Sequence, residues 1–289
     1  MWGLRSRAVL GLAAFAIGVA GVVVATEGST FPAGLATVGL APKAQTTCLA
    51  VGGYVAPAPG STGLPPGLAL CAGGPVVVTQ AGAVLDGWDL RGGVVVDAPG
   101  VVVRRSRITG DGVTPFGVMT TPAGTVRIED TTLTGDFPQA AIGDGRWTAE
   151  RIEIIGVTHD GARLGDGARL RNSTLHDFVP ATGSVGNGLV VHGEDVRVED
   201  NRVMPGPVAG SAVRVVSSAG KRPVVICGNV LGGGEYTVRE DAGDPAGVPV
   251  QVRITDNRFR PDAARGPLNV SDTVVLDDNT FVDGRPLPR

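Results

Sequence analysis

Three acids recur at one offset in this chain of 289 residues. Asp111, Asp136 and Asp160 each stand three positions beyond an apolar residue, Ile108, Leu133 and Val157 respectively. In the following segment the acid sits one position earlier, as Asp177 after Leu175, with His176 beside it. Carboxylates stacked along one edge repel, so they must share protons, splay into water or take up a cation. Calcium accepts several oxygen ligands at such spacing and would hold a uronate carboxylate as well. Asp111, Asp136 and Asp160 are therefore candidate Ca²⁺ ligands, and calcium is the one cofactor suggested. A His–Asp pair drawn from His176, Asp160 and Asp177 could act as general base, removing the proton α to a uronate carboxylate in a β-elimination. Arg163 could neutralise that carboxylate. His159, His192 and Asn187 are candidate substrate contacts, Asn187 closing the long stretch "FVPATGSVGN" that could wall a groove. The same acids also fit plain turn chemistry, since "GDG", "GDF" and "HDG" all look like turns. "GDG" at 143–145 and at 165–167 suggests phosphate-binding turns, but no helical pattern follows to supply a dipole.

The elements that must position these residues announce themselves by repetition. "VRVEDNRV" at 196–203 returns as "VRITDNRF" at 252–259 and "VVLDDNTF" at 274–281. Aligned on the apolar residues flanking the polar tripeptide, the pairs are Leu85/Leu90, Val103/Ile108, Ile128/Leu133, Ile152/Val157, Leu170/Leu175, Val198/Val203, Ile226/Leu231, Ile254/Phe259 and Leu276/Phe281. The steps between first members are 18, 25, 24, 18, 28, 28, 28 and 22 residues. That period, with alternation inside and glycine between, predicts a β-solenoid; propeller blades need about 40 residues. Segments such as "GVMTT", "GARLG" and "GLVVHG" supply a second short strand per coil. The tripeptide ends in Asn201, Asn229, Asn257 and Asn279 in the last coils, with Ser106, Thr131, Ile155 and Ser173 at the matching earlier positions. Stacked at about 4.8 Å, the four amides form a ladder. "NST" at Asn172 falls inside a coil strand and is read as structural.

Composition agrees. The chain carries 45 Gly and 21 Pro yet is 43% hydrophobic, too apolar for disorder and too rich in glycine for a helical bundle. Aromatics make up only 4%, so the core is aliphatic. A net charge of −3 without a basic face argues against nucleic acid. At the N-terminus Arg5 and Arg7 precede the apolar run Ala8–Ala25, which reads either as a cleaved signal, with Val23 and Ala25 before the cut, or as a membrane anchor. Both place the remainder outside the cytoplasm, secreted or held at the outer face of the membrane. In that setting Cys48 and Cys71 could close a disulfide, leaving Cys227 as a packed thiol.

Several segments resemble the right-handed parallel β-helix proteins of the pectate-lyase-like superfamily, and more narrowly a secreted actinobacterial repeat group. They are "TGLPPGLAL", "AVLDGWDLRG", "VVVRRSRITG", "ARLRNSTLHD" and "VRITDNRFRPDAARGPL", spread over residues 61–284. The resemblance implies an all-β fold, a single-domain right-handed parallel β-helix of about nine or more coils, and a polysaccharide or cell-wall glycan as partner. Related chains often place His-x-Asp-Gly-Ile-Gln after the "IHD" coil; here Val185, Asn187 and Val190 occupy its polar positions. The acidic pair and Gly-His-Gly of polygalacturonases and the Arg signature of pectate lyases are missing too. Two functions follow as expectations: binding along one solenoid face, or a lyase or glycosidase acting on an acidic polymer through the Asp/His edge. The expected organisation is a signal or anchor at 1–26, a linker and N-terminal cap at 27–70, and the solenoid at 71–289.

Overall fold

The computed structural model describes residues 36–38 and 45–47 along the backbone, and 61–183, 185–207, 209–216, 222–241 and 251–288 in full. Its regular elements are all β-strands, arranged as three parallel sheets of ten strands, each sheet taking every third strand in chain order. One strand per sheet per coil defines a right-handed parallel β-helix, the fold expected from the repeats. Ala36–Val38 pairs with Val76–Val78, and Gln45–Thr47 with Val84–Asp86. The winding therefore begins before residue 71, inside the stretch expected to be linker and cap. The stretch 1–26 and Cys48 lie outside the described residues; Cys71 is disulfide-bonded and Cys227 is free. Among the described residues no helix is long and apolar enough to cross a membrane.

Coils stack because each buries its apolar residues against copies of itself. On the second sheet the inward row runs Leu85, Val103, Ile128, Ala149, Leu170, Val198, Ile226 and Ile254. On the third it runs Leu90, Ile108, Leu133, Ile154, Leu175, Val203, Leu231 and Phe259. Every member of both rows is buried, in one continuous core. Burying each such side chain contributes roughly 1.5–3 kcal/mol before chain entropy is charged against it.

One coil departs from the alignment of anchors. The pair expected at Ile152/Val157 is in fact Ala149/Ile154, three residues earlier. "AERIEIIGV" offers apolar residues at 149, 152, 154, 155 and 157, and the true anchor is the smallest of them. A larger isoleucine at 152 draws a hydropathy alignment to itself, although it belongs to the turn.

That turn, from the second sheet to the third, is two residues long in every coil from 105–106 to 278–279. Its first residue is left-handed: Arg105, Asp130, Arg151, Asn172, Asp200, Asp256 and Asp278 have φ of 47–57°, and Gly228 has 71°. Asp, Asn and Gly tolerate this conformation best. The two arginines are held there by carboxylates, Arg105 by the fully buried Asp86 and Arg151 by Asp130. The second residue points inward and forms the ladder. Asn201 donates its amide N–H to Asn229 Oδ1 at 2.8 Å, Asn229 does the same to Asn257 at 2.9 Å, and Asn257 to Asn279 at 3.0 Å. Ser173, Ile152, Thr131 and Ser106 continue the column, so Ile152 takes the place expected of Ile155.

A strap completes the fold. Residues 61–70 run along the outside of the third sheet into the strand Cys71–Gly73, with Gly63 N–H bonded to the Arg151 carbonyl at 2.8 Å and Leu64 N–H to Thr132 Oγ1 at 2.9 Å.

Candidate functional site

The three corners of the coil are not equivalent. The turn between second and third sheets is two residues long in every coil from 105–106 onward, whereas the connection from third to first sheet ranges from two residues, 74–75 and 92–93, to twelve, 177–188. Length variation at that corner places loops of different reach beside the first sheet, whose outer face forms a floor next to them. Among the described residues, three of the four large exposed apolar side chains, Val113, Val179 and Val185, lie on these loops.

At the centre of that floor the strands Phe116–Thr120, Ala140–Ile142 and Asp160–Leu164 lie side by side. Gly143 follows the middle strand, and a Cβ there would come within 2.7 Å of the Phe116 ring. The missing side chain is what lets Phe116 lie on the sheet. Arg163 reaches over the ring, its guanidinium carbon 5.8 Å from the centroid. Two further contacts fix the guanidinium: Nε donates to Asp160 Oδ2 at 3.1 Å and Nη1 to Gln139 Oε1 at 3.1 Å. Asp160 Oδ1 accepts from the Asn187 amide N–H at 2.9 Å and its side-chain nitrogen at 3.1 Å. From the interior, the buried Trp147 donates Nε1–H to the carbonyls of Gly143 and Arg163 at 3.1 and 3.2 Å. The platform is thus held from both sides of the sheet.

Beside it Asp144 Oδ1 and His192 Nε2 lie 2.8 Å apart. The hydrogen bond from His192 holds the Asp144 carboxyl below the ordinary carboxylate value; burial opposes this, and the positive charges of His192 and Arg163 reinforce it. Further along the same face, Arg214 Nε donates to Asp241 Oδ2 at 2.9 Å, and Arg239 Nε lies 3.2 Å from Asp241 Oδ1.

The predicted residues divide between two faces. Asp160, Arg163 and Asn187 converge on the first sheet, with His192 nearby. His176 ends a strand of the third sheet and Asp177 begins the loop after it; His176 Nδ1 lies 2.7 Å from Asp177 Oδ2 and Nε2 lies 3.2 Å from Glu153 Oε1. No hydrogen bond or ion pair among the described contacts joins Asp160 to His176 or Asp177, so the expected acid–base cluster of these three does not assemble. His159 occupies the loop between the sheets, with Nδ1 3.0 Å from Thr158 Oγ1.

The acidic edge is likewise shorter than expected. Asp111 and Asp136 are register partners on adjacent strands. The next position along that row is Val157, because the anchor of its coil is Ile154; Asp160 starts a strand of the first sheet instead. The set Asp111, Asp136 and Asp160 therefore does not form a common calcium site, and among the described residues no three His, Cys, Asp or Glu side chains converge as metal ligands. Asp111 closes its own turn, accepting from the N–H groups of Val113 and Thr114 at 3.0 and 2.7 Å. Burial raises its pKa, but those bonds and the Thr114 hydroxyl together hold it below the ordinary value. Asp136 accepts from Thr158 Oγ1 at 2.5 Å.

No family model and no curated protein matches the chain. Among solved structures it is similar to the catalytic domain of a GH87 alpha-1,3-glucanase in complex with tetrasaccharides, at 10% identity and a TM-score of 0.42, over 73% of this chain and 56% of that one. The chain thus spans little more than half the length of that structure.

Phe116, Gln139, Gly143 and Asp144 were not singled out for this role in the sequence. A usable signal exists for two of them: "GDG" at 143–145 interrupts the strand pattern, and Phe116 is one of only seven phenylalanines in an aliphatic chain.

Proposed function

We propose that this is an exported protein that holds a polysaccharide along the outer face of the first sheet without cleaving it. The observation that carries the reading is the Phe116–Arg163 platform, an aromatic face and a fixed guanidinium presented to the groove. Outward side chains on successive strands repeat at about 4.8 Å, a step comparable with one sugar ring, so an extended glycan along the axis meets a new coil at each unit. The disulfide at Cys71 suits an oxidising compartment outside the cytoplasm. Binding is favoured over cleavage because the acids of the platform are already engaged: Asp160 is bonded to Asn187 and Arg163, and Asp144 to His192, an arrangement that favours its ionised form over a proton donor.

The test is affinity electrophoresis through gels containing soluble polysaccharides, comparing the wild type with the double variant Phe116→Ala, Arg163→Ala. Retardation of the wild type, lost in a variant with unchanged far-UV dichroism, supports the reading. New reducing ends, or the absorbance of an unsaturated product, would replace it with the glycosidase or lyase alternative.

A further inference from the structure

The charges of the groove floor point to the kind of glycan it takes. Within the first sheet's strands the cations are Arg163, Arg214 and Arg239 and the anions are Asp160, Glu240 and Asp241, three of each. None of the three arginines is left to an outside partner. Arg163 is tied to Asp160, and Arg214 and Arg239 share Asp241 from neighbouring strands. Glu235, at the edge of the same sheet, lies 2.8 Å from Arg265 and 3.8 Å from Arg239. His192 is matched by Asp144, whose side chain is 53% exposed to the groove.

A uronate polymer brings a carboxylate at every sugar or every second sugar. To seat it, the groove would need guanidinium or ammonium groups free to pair with it. Each of those cations already has a carboxylate in contact, and the incoming charge would meet Asp144, Asp160 and Asp241 along its path. Like charges brought together across an interface are a strong means of rejecting a partner. What the floor does offer is suited to hydroxyl groups: carboxylate oxygens that accept, amides at Gln139 and Asn187, the Arg163 edge, and the Phe116 ring for the C–H face of a sugar.

We infer that the glycan bound on the first sheet is uncharged, and that the groove's own carboxylates exclude acidic polymers. The inference rests on the proposed binding role and adds the substrate class to it. It also separates this chain from the acidic-polymer expectation raised by its sequence.

The experiment is titration calorimetry against two neutral polymers, a soluble β-glucan and arabinoxylan, and two acidic ones, polygalacturonate and alginate, at about 0.05 M and about 0.5 M salt. The expected result is binding to a neutral polymer that is nearly independent of salt, with the acidic polymers at least about tenfold weaker, as exclusion worth about 1.4 kcal/mol requires. The variant Asp241→Asn, which releases Arg214 and leaves Arg239 only its longer contact with Glu235, is expected to acquire salt-sensitive affinity for polygalacturonate. Wild-type protein that binds polygalacturonate or alginate as well as the neutral polymers overturns the inference and leaves the binding role standing. Failure of Asp241→Asn to gain any acidic affinity overturns the assigned cause of exclusion. Absence of binding to all four polymers, or binding unchanged by Phe116→Ala with Arg163→Ala, overturns the site itself and the inference with it.

Discussion

Arg163 rests over Phe116 from two coils further along the solenoid, with the floor between them formed by Gly143, the only residue type that leaves room for the ring. Gly143→Ala is therefore expected to act as a binding mutation. Its Cβ would lie 2.7 Å from the ring and must displace it, breaking the contact with the guanidinium. Losing that preorganised surface is expected to weaken binding by about two- to fivefold, equivalent to about 0.5–1 kcal/mol. Titration of Gly143→Ala and Phe116→Ala should show the same loss; full affinity in either would remove the platform from the binding account.

The amide ladder makes a second prediction, about stability. Asn229 accepts the amide N–H of Asn201 and donates to Val198 O at 2.9 Å and Asn257 Oδ1 at 2.9 Å, all of it buried. Replacing Asn229 with Ala orphans these groups and should cost about 1–3 kcal/mol in urea unfolding. A change below about 0.5 kcal/mol would mean that water or a rearranged neighbour satisfies them.

The ladder also shows which features the sequence makes legible. A side chain that stacks on its own equivalent recurs in sequence because the two-residue turn holds the register, and Asn201 to Asn279 could be read directly. Ala149 could not, since hydropathy weighs size and the neighbouring Ile152 is larger. That slip of three residues moves Asp160 onto the wrong face and sets it beside His176 in a hydropathy alignment. The Phe116–Arg163 contact was invisible for a different reason. It spans two coils and depends on the lengths of loops 137–139 and 156–159, which no local pattern encodes. Asp160, Arg163, Asn187 and His192 were found as types that could do chemistry, while their grouping came only with the register.

A third prediction concerns pH. The pKa of Asp144 lies below its ordinary value of 3.8 because His192 hydrogen-bonds the ionised form. A carboxyl group whose pKa falls on folding stabilises the native state above its unfolded value, and that contribution is lost as pH drops through the folded one. The stability gap between wild type and Asp144→Asn should thus be level above pH 3.8 with respect to this carboxyl and close below it. Urea midpoints measured at steps from pH 5 to pH 2.5 would show it. A gap that widens on acidification would contradict the assigned pairing.

Calcium gives the fourth. Asp111 is occupied by its own turn, with Val113 and Thr114 as donors, and Asp160 is absent from the edge it shares with Asp136. Millimolar calcium is expected to leave Tm unchanged, whereas a ligand bound only to the folded state would raise it with concentration. Asp111→Ala should cost about 0.5–1.5 kcal/mol through the lost turn bonds, with or without calcium. A saturable rise in Tm that disappears in Asp111→Ala with Asp136→Ala would restore the metal reading.

The strap supports the last prediction. Gly63 has φ of 79°, and a Cβ there would stand 2.6 Å from Thr132 Oγ1 and 2.7 Å from Glu153 Cβ, the second an atom with little freedom to move. Gly67, in the same strap, has φ of 78° with nothing within 4 Å of its Cβ position. Both alanine variants carry the strain of a left-handed backbone, about 1–3 kcal/mol, but only Gly63→Ala adds a collision with the third sheet. Gly63→Ala is therefore expected to destabilise more than Gly67→Ala and to lift residues 61–70 from the sheet. Hydrogen exchange should show the Leu64 amide, bonded to Thr132 Oγ1 at 2.9 Å, exposed in the first variant and protected in the second. Equal protection in the two would mean that the strap is held by its attachment at Cys71 alone, and that the fit of Gly63 against Thr132 and Glu153 contributes nothing to its docking.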